Sequence, residues 1–145
     1  MPDARLFDLD EFLPYRLVHA GDIVSLEFYR HYRKHYGLTR PEWRVMAHLG
    51  QYGALTARDI CERASLHKTK VSRAVASLEK RKWVRRDEDE RDRRFEWLTL
   101  TAHGDKAYAA LCEEGKRYNT ALRARLGADG AATLLKLLDQ LENRN

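Results

Sequence analysis

With 145 residues and 43% hydrophobic content, the chain is long enough for one domain with a substantial core and too apolar to be disordered. No apolar run approaches the ~18 residues of a membrane helix, and the start, MPDARLFDLDEFL, lacks the basic and apolar segments of a signal peptide, so a cytoplasmic location is expected. The net charge of +5 favours a polyanionic partner over a basic one.

Residues 1–11 read as a short arm. Residues 12–36 read as a long helix, with Pro14 tolerated in its first turn and Gly37 ending it. Leu13, Leu17, Val24, Phe28, Tyr32 and Tyr36 give it a broad apolar and aromatic face, and Gly21 marks a kink or a close contact. Thr39 and Glu42 have capping-box spacing, with Pro41 in the first turn of a helix that carries Trp43, Val45, Met46 and Leu49 and closes between Gly50 and Gly53.

Thr56 and Asp59 repeat the capping spacing in a weaker form, with Asp in place of the usual Glu. Leu55, Ile60 and Ala64 supply apolar contacts for a short helix. Ala64-Ser65-Leu66 then leaves a connection of about three residues, the length a helix-turn-helix needs, with Leu66 as the plug.

The next stretch, HKTKVSRAVASLEKRK, places Val71, Ala74, Val75 and Leu78 on one helical stripe. Thr69, Ser72, Arg73 and Ala76 fall on the opposite side. That face suits a major groove: Arg forks onto a guanine edge, hydroxyls bond bases or phosphates, and Ala permits close approach. His67, Lys68, Lys70 and Lys80 flank it and suit phosphates. Taken alone, the same pattern also describes an ordinary solvated helix face.

A charged hairpin follows. Trp83 and Val84 begin a strand, residues 95–100 return, and RRDEDERDRR lies between them as a loop tip. Arg91, Arg93 and Arg94 lie at that tip, and a narrow minor groove attracts inserted Arg. Asp92 is placed to hold Arg94 in one pose by a charge-assisted bond. The other reading is a solvated turn. Charge location favours the first. Residues 67–94 hold 11 of the 27 Lys and Arg and six of the 22 Asp and Glu, leaving 16 of each in the remainder. The whole excess therefore sits in the stretch that would touch DNA.

After this, Thr101 caps a long helix to about Arg125, with Tyr108, Leu111, Cys112, Gly115, Tyr118, Leu122 and Leu126 at three- and four-residue steps. Gly127 breaks it. Leu134, Leu135, Leu137, Leu138 and Leu141 mark a last helix from about Ala128. The fold expected is mainly α with a small β wing: a winged helix-turn-helix over residues 39–100, flanked at 12–36 and 101–143 by dimerisation helices, in one domain spanning 1–145.

LTRPEWRVMAHL, DICERASLHKTKVSRAVASLEKRKWVRR and DRRFEWLTLTAHG, in that order, resemble the MarR family of bacterial transcription regulators over nearly the whole chain. The most specific part is Asp92-Arg93-Arg94, followed by the Leu-Thr-x-x-Gly step at residues 100–104. The resemblance implies that Arg94 enters a minor groove with Asp92 as its brace. It also implies a homodimer formed through the terminal helices, a pseudo-palindromic double-stranded DNA operator and repression as the usual mode. The surplus apolar surface of the terminal helices agrees with a dimer, although those faces could equally close an intramolecular core. Lys82 departs from the family, which often has Gly before the first wing strand. If that position needs positive φ, Lys is strained there.

The resemblance also implies release by a small aromatic acid, a related anion or an acyl-thioester. Tyr15, Arg16, His19, Tyr29, Trp43 and Arg44 are the candidate ligand residues, Arg for a carboxylate and aromatics for a ring. No cofactor is expected. Glu27, His31 and His35 have helical spacing suited to Zn²⁺ but no further ligand nearby, so no metal site is assigned. Cys61 and Cys112 form no metal or redox spacing, and the N-terminal cysteine common to peroxide sensors is missing. Metal or redox sensing therefore stands only as a lesser alternative. No phosphate loop, nucleophile elbow or metalloprotease motif appears, so an enzyme is not expected. A protein-binding winged helix is the remaining alternative, and it should lack the basic helix face and the wing arginines.

Overall fold

The computed structural model describes residues 6–144. They comprise α1 (Leu13–Tyr36), α2 (Arg40–Tyr52), α3 (Ala57–Ala64), α4 (Lys68–Lys80), β1 (Val84–Glu88), β2 (Glu96–Leu100), α5 (Ala102–Leu126) and α6 (Ala128–Leu141). The chain divides into two compact units at the Arg40–Pro41 bond.

In the first unit, residues 1–5 of the expected arm lie outside the described residues. Leu9–Glu11 form a 3-10 turn capped by Asp8, whose carboxylate accepts from the Asp10 N–H. α1 starts with Pro14 in its first turn and ends at Gly37, φ 65°, whose N–H donates to the Arg33 carbonyl. It runs as one helix through Gly21, where an added methyl would meet nothing within 4 Å. The close contact expected there is not present. Tyr32 is buried, with Phe28 and Tyr29 against its ring.

The second unit is built on the elements that position α4. Thr56 and Asp59 form the complete capping box: the Asp59 N–H donates to Thr56 Oγ1 at 3.1 Å, and the Thr56 N–H donates to Asp59 Oδ2 at 3.0 Å. Asp therefore serves as well as Glu at this start. Three residues, 65–67, join α3 to α4. Ser65 takes a left-handed conformation, φ 52°, and lets the Leu66 N–H reach the Cys61 carbonyl. Val71, Ala74, Val75 and Leu78 are all buried, as their stripe requires.

α4 ends in a Schellman turn. The Lys82 N–H donates to the Glu79 carbonyl at 2.9 Å and the Trp83 N–H to the Leu78 carbonyl at 3.0 Å, with Lys82 at φ 63°. A side chain with a Cβ is strained there, as the departure from Gly suggested. Lys82→Gly should therefore stabilise the protein by about 1 kcal/mol. This is read as a higher denaturant midpoint at unchanged slope. A lower midpoint would mean that Lys82 makes compensating contacts.

β1 and β2 pair antiparallel in the register Val84↔Leu100, Arg86↔Leu98 and Glu88↔Glu96. The loop expected from Arg85 is thus shorter: residues 85–88 are strand, and residues 89–95 make the tip. Only Val84 and Leu98 of the hairpin are buried. Leu55 adds an isolated antiparallel bridge to Leu98, with N–H···O contacts of 3.1 and 2.8 Å. Thr101 caps α5 by accepting from the Gly104 N–H. Its hydroxyl donates to the Lys82 carbonyl at 2.6 Å and its N–H donates to the Trp83 carbonyl at 3.0 Å, tying the base of the wing to α5. The Tyr108 ring of α5 lies on Gly50 of α2, where any Cβ would strike it. Among the described residues no helix is long and apolar enough to cross a membrane.

Candidate nucleic-acid interface

α4 presents its polar side outward: Thr69, Ser72, Arg73 and Ala76 are all exposed. His67 is the helix N-cap, and its Nδ1 accepts from the Thr69 N–H at 3.3 Å. This satisfies one of the orphan donors of the first turn and leaves the others facing solvent. Lys68, Lys70, Thr69, Ser72 and Arg73 follow within two turns, so hydroxyls and cations share one surface.

The structure sorts the wing arginines, which look alike in sequence. Arg85 pairs with Asp87 at 2.9 Å. Arg86 is held between Glu79 and Glu96. Arg81 lies over the Trp83 ring at 5.0 Å. Among the described residues Lys68, Lys70, Arg73, Arg91 and Arg93 make no ion pair, which leaves their charges available to phosphate. The Glu79 carboxylate raises the Arg86 guanidinium pKa, with Glu96 adding to the effect and burial opposing it.

At the tip, Asp92 grips Arg94. Oδ1 accepts from the Arg94 N–H at 3.0 Å and from Nε at 3.0 Å, and Oδ2 accepts from Nη2 at 2.8 Å. The Arg94 side chain lowers the Asp92 pKa, with the backbone bond adding to it, and Asp92 raises that of Arg94 in return. Asp89 does similar work one turn earlier: it accepts from the Arg91 N–H at 2.9 Å and from Trp97 Nε1 at 3.3 Å. Asp89 and Asp92 are therefore the internal scaffold of this loop, and the exposed arginines are its outward face. Trp97 and Glu96 were not among the residues singled out in the sequence. Their parts depend on strand register, which composition does not reveal.

The ligand candidates fall in both units. On α1, the Tyr15 and His19 rings stack at 5.5 Å with 7° between planes. Arg16 donates through Nη1 to the Asp10 carbonyl at 2.9 Å, and Tyr29 carries Arg33 over its ring at 5.7 Å. Trp43 and Arg44 are half-buried on α2, and His48 Nδ1 bonds the Arg44 carbonyl at 2.6 Å. A cleft of about 750 Å³ lies instead between the start of α3 and the wing, lined by Thr56, Arg58, Asp89, Arg94 and Trp97 among others, and includes none of the six.

Both cysteines are free thiols and half-buried. Interaction with the Cys112 side chain, together with burial, pushes the Tyr108 phenol up to about 12. Among the described residues no group of three or more His, Cys, Asp or Glu is placed to hold a metal ion.

The sequence profile of the MarR family matches residues 36–94, from the end of α1 to the braced arginine. The transcriptional regulator HosA of Escherichia coli is 28% identical over 106 residues, 73% of this chain and 78% of HosA. The crystal structure of the MarR family regulator SPO1453 from Silicibacter pomeroyi superposes with a TM-score of 0.78 at 28% identity, covering 93% of this chain and 98% of that one. The regulator NadR, in complex with 4-hydroxyphenylacetate, superposes with a TM-score of 0.77 at 26% identity over the full length of both chains. In its sequence over residues 36–94, its mainly helical architecture and its two-stranded wing, the chain is similar to the MarR family of transcriptional regulators.

Proposed function

We propose that the protein is a homodimer that reads a pseudo-palindromic DNA operator, represses transcription there and is released by a small aromatic acid. The observation that carries the DNA reading is the exposed Thr69-Ser72-Arg73-Ala76 face beside a wing whose Arg94 is braced outward. α4 supplies base contacts through Arg73 and the hydroxyls, and phosphate contacts through His67, Lys68 and Lys70. Arg94 supplies the minor-groove contact, with Arg91 and Arg93 on the adjoining backbone. A protein-binding winged helix would not need this division into braced and unpaired cations.

The dimer rests on apolar surface. Leu134, Leu135, Leu137 and Leu141 of α6 are each 41–56% exposed, and Leu13, Val18, Ile23 and Leu26 of α1 are 41–67% exposed. Side chains of this size on two terminal helices call for a partner, and a second copy would set two α4 helices about one DNA turn apart. The ligand class rests on NadR, which binds 4-hydroxyphenylacetate, and on the ring pair Tyr15–His19 beside Arg16.

Fluorescence anisotropy on sheared duplex from the source genome tests the reading. Binding is expected at low ionic strength, with log K falling by about 0.9 per phosphate neutralised for each decade of salt. Added 4-hydroxyphenylacetate is expected to release the DNA. Salt-insensitive binding would remove the phosphate contacts from the account, and indifference to aromatic acids would remove the ligand.

A further inference from the structure

We propose that Arg86 is a positioning residue that fastens the wing to α4, so that the two DNA-reading elements dock as one rigid unit. The proposal rests on the DNA reading above. Arg86 stands on β1 in the middle of the basic stretch, yet each of its three guanidinium nitrogens donates to a carboxylate within the protein. Nε and Nη2 donate to Glu79 Oε1 at 3.1 and 2.6 Å, and Nη1 donates to Glu96 Oε2 at 2.7 Å. Glu79 belongs to the last turn of α4 and Glu96 to the first position of β2. One guanidinium therefore joins three elements, and two carboxylates outweigh its charge. Its side chain is 39% exposed, against 86% for Arg94.

The hairpin needs such a tie. A two-stranded sheet is marginal by itself in water, and this one buries only Val84 and Leu98, both on its half nearer the core. Beyond them the half-buried Trp97 lines the cleft beside the start of α3, on the opposite face of the ladder from Arg86, so the link between the tip and α4 falls to polar contacts. Arg86 and Glu96 sit on one face of the ladder: Arg86 pairs with Leu98, and Glu96 is two residues back along β2. Glu79 meets that face from the helix. A planar fork can bridge the two carboxylates in one geometry, which a Lys ammonium would not impose. The tie therefore sets the separation between Arg73, which would lie in a major groove, and Arg94, which would lie in the neighbouring minor groove.

Glu79→Gln separates this role from simple electrostatics. Removing a carboxylate near a polyanion should tighten DNA binding if charge alone matters. The positioning role requires the reverse: Glu79→Gln and Arg86→Gln should each weaken operator binding by about fivefold to tenfold. In the Arg86→Gln background, Arg94→Ala should cost clearly less than in the parent, because a loose wing no longer delivers Arg94. Hydrogen exchange of the free protein gives a readout without DNA. Amides of β1 and β2 should lose protection in Glu79→Gln while those of α5 keep it. Equal or tighter DNA binding by Glu79→Gln, additive effects of Arg86 and Arg94, or unchanged wing protection would each overturn the proposal. Loss of wing protection in a protein whose parent binds no duplex would instead place the failure in the DNA reading.

Discussion

Gly104→Ala should destabilise the protein by about 3 kcal/mol and lower its Tm by roughly 6–12 °C. Gly104 is buried in the first turn of α5, and a Cβ built there falls far inside van der Waals contact distance of the Trp83 carbonyl oxygen. Neither side can give. The Trp83 carbonyl also accepts the Thr101 N–H, and the Gly104 N–H is held by Thr101 Oγ1. Moving the chain far enough to admit a methyl breaks the cap, the bond at the wing base, or both. The helix propensity that Ala gains over Gly, about 1 kcal/mol, is too small to offset this. Calorimetry of the variant beside Gly21→Ala provides the control, since a methyl at Gly21 meets open space. A Gly104→Ala protein as stable as the parent would mean that the base of the wing is not packed against α5.

The second large effect concerns Arg94. Arg94→Ala should weaken DNA binding by about tenfold or more and abolish any preference for A·T-rich flanks, because the narrow groove of such sequences is what attracts an inserted guanidinium. Asp92→Ala should cause a smaller loss of the same kind, since Arg94 keeps its charge but loses the carboxylate that fixes its pose. The pH dependence follows from the direction of the shift. Asp92 is held below its ordinary pKa, so the brace is complete above the usual carboxylate range and fails only as pH falls through the depressed value. Binding between pH 6 and pH 8 should therefore show no contribution from this pair. Titrations against A·T- and G·C-flanked duplexes check both points. Equal losses on the two duplexes would make Arg94 a phosphate contact instead.

Much of this could be read before the structure because periodic features announce themselves. The stripe Val71, Ala74, Val75 and Leu78 fixed which side of α4 faces out, and burial follows it residue by residue. Gly37, Thr101 and Gly127 marked helix ends because caps act within a few residues. Lys82 was legible as a place of strain only through its departure from the family, and its φ of 63° shows why. What escaped the sequence was set by pairing across distance. Whether β1 reached Glu88 could not be read from RRDEDERDRR, since charged residues occupy strands and loops alike when one face is solvated. Without the register, nothing set Arg86 apart from the other charged residues of the hairpin. The Leu-Thr-x-x-Gly step was recognised, but its reason, a carbonyl seated on Gly104, required the fold.

Cations gathered on α4 and the wing are proposed to read base sequence in duplex DNA. The most direct test is selection of bound fragments from the source genome, run in parallel with the parent protein and Arg73→Ala. The parent should enrich one motif with twofold symmetry. The variant should bind that motif ~1–3 kcal/mol more weakly and lose base preference at one position in each half-site. No enrichment at low ionic strength, or the same motif from both proteins, would contradict this reading.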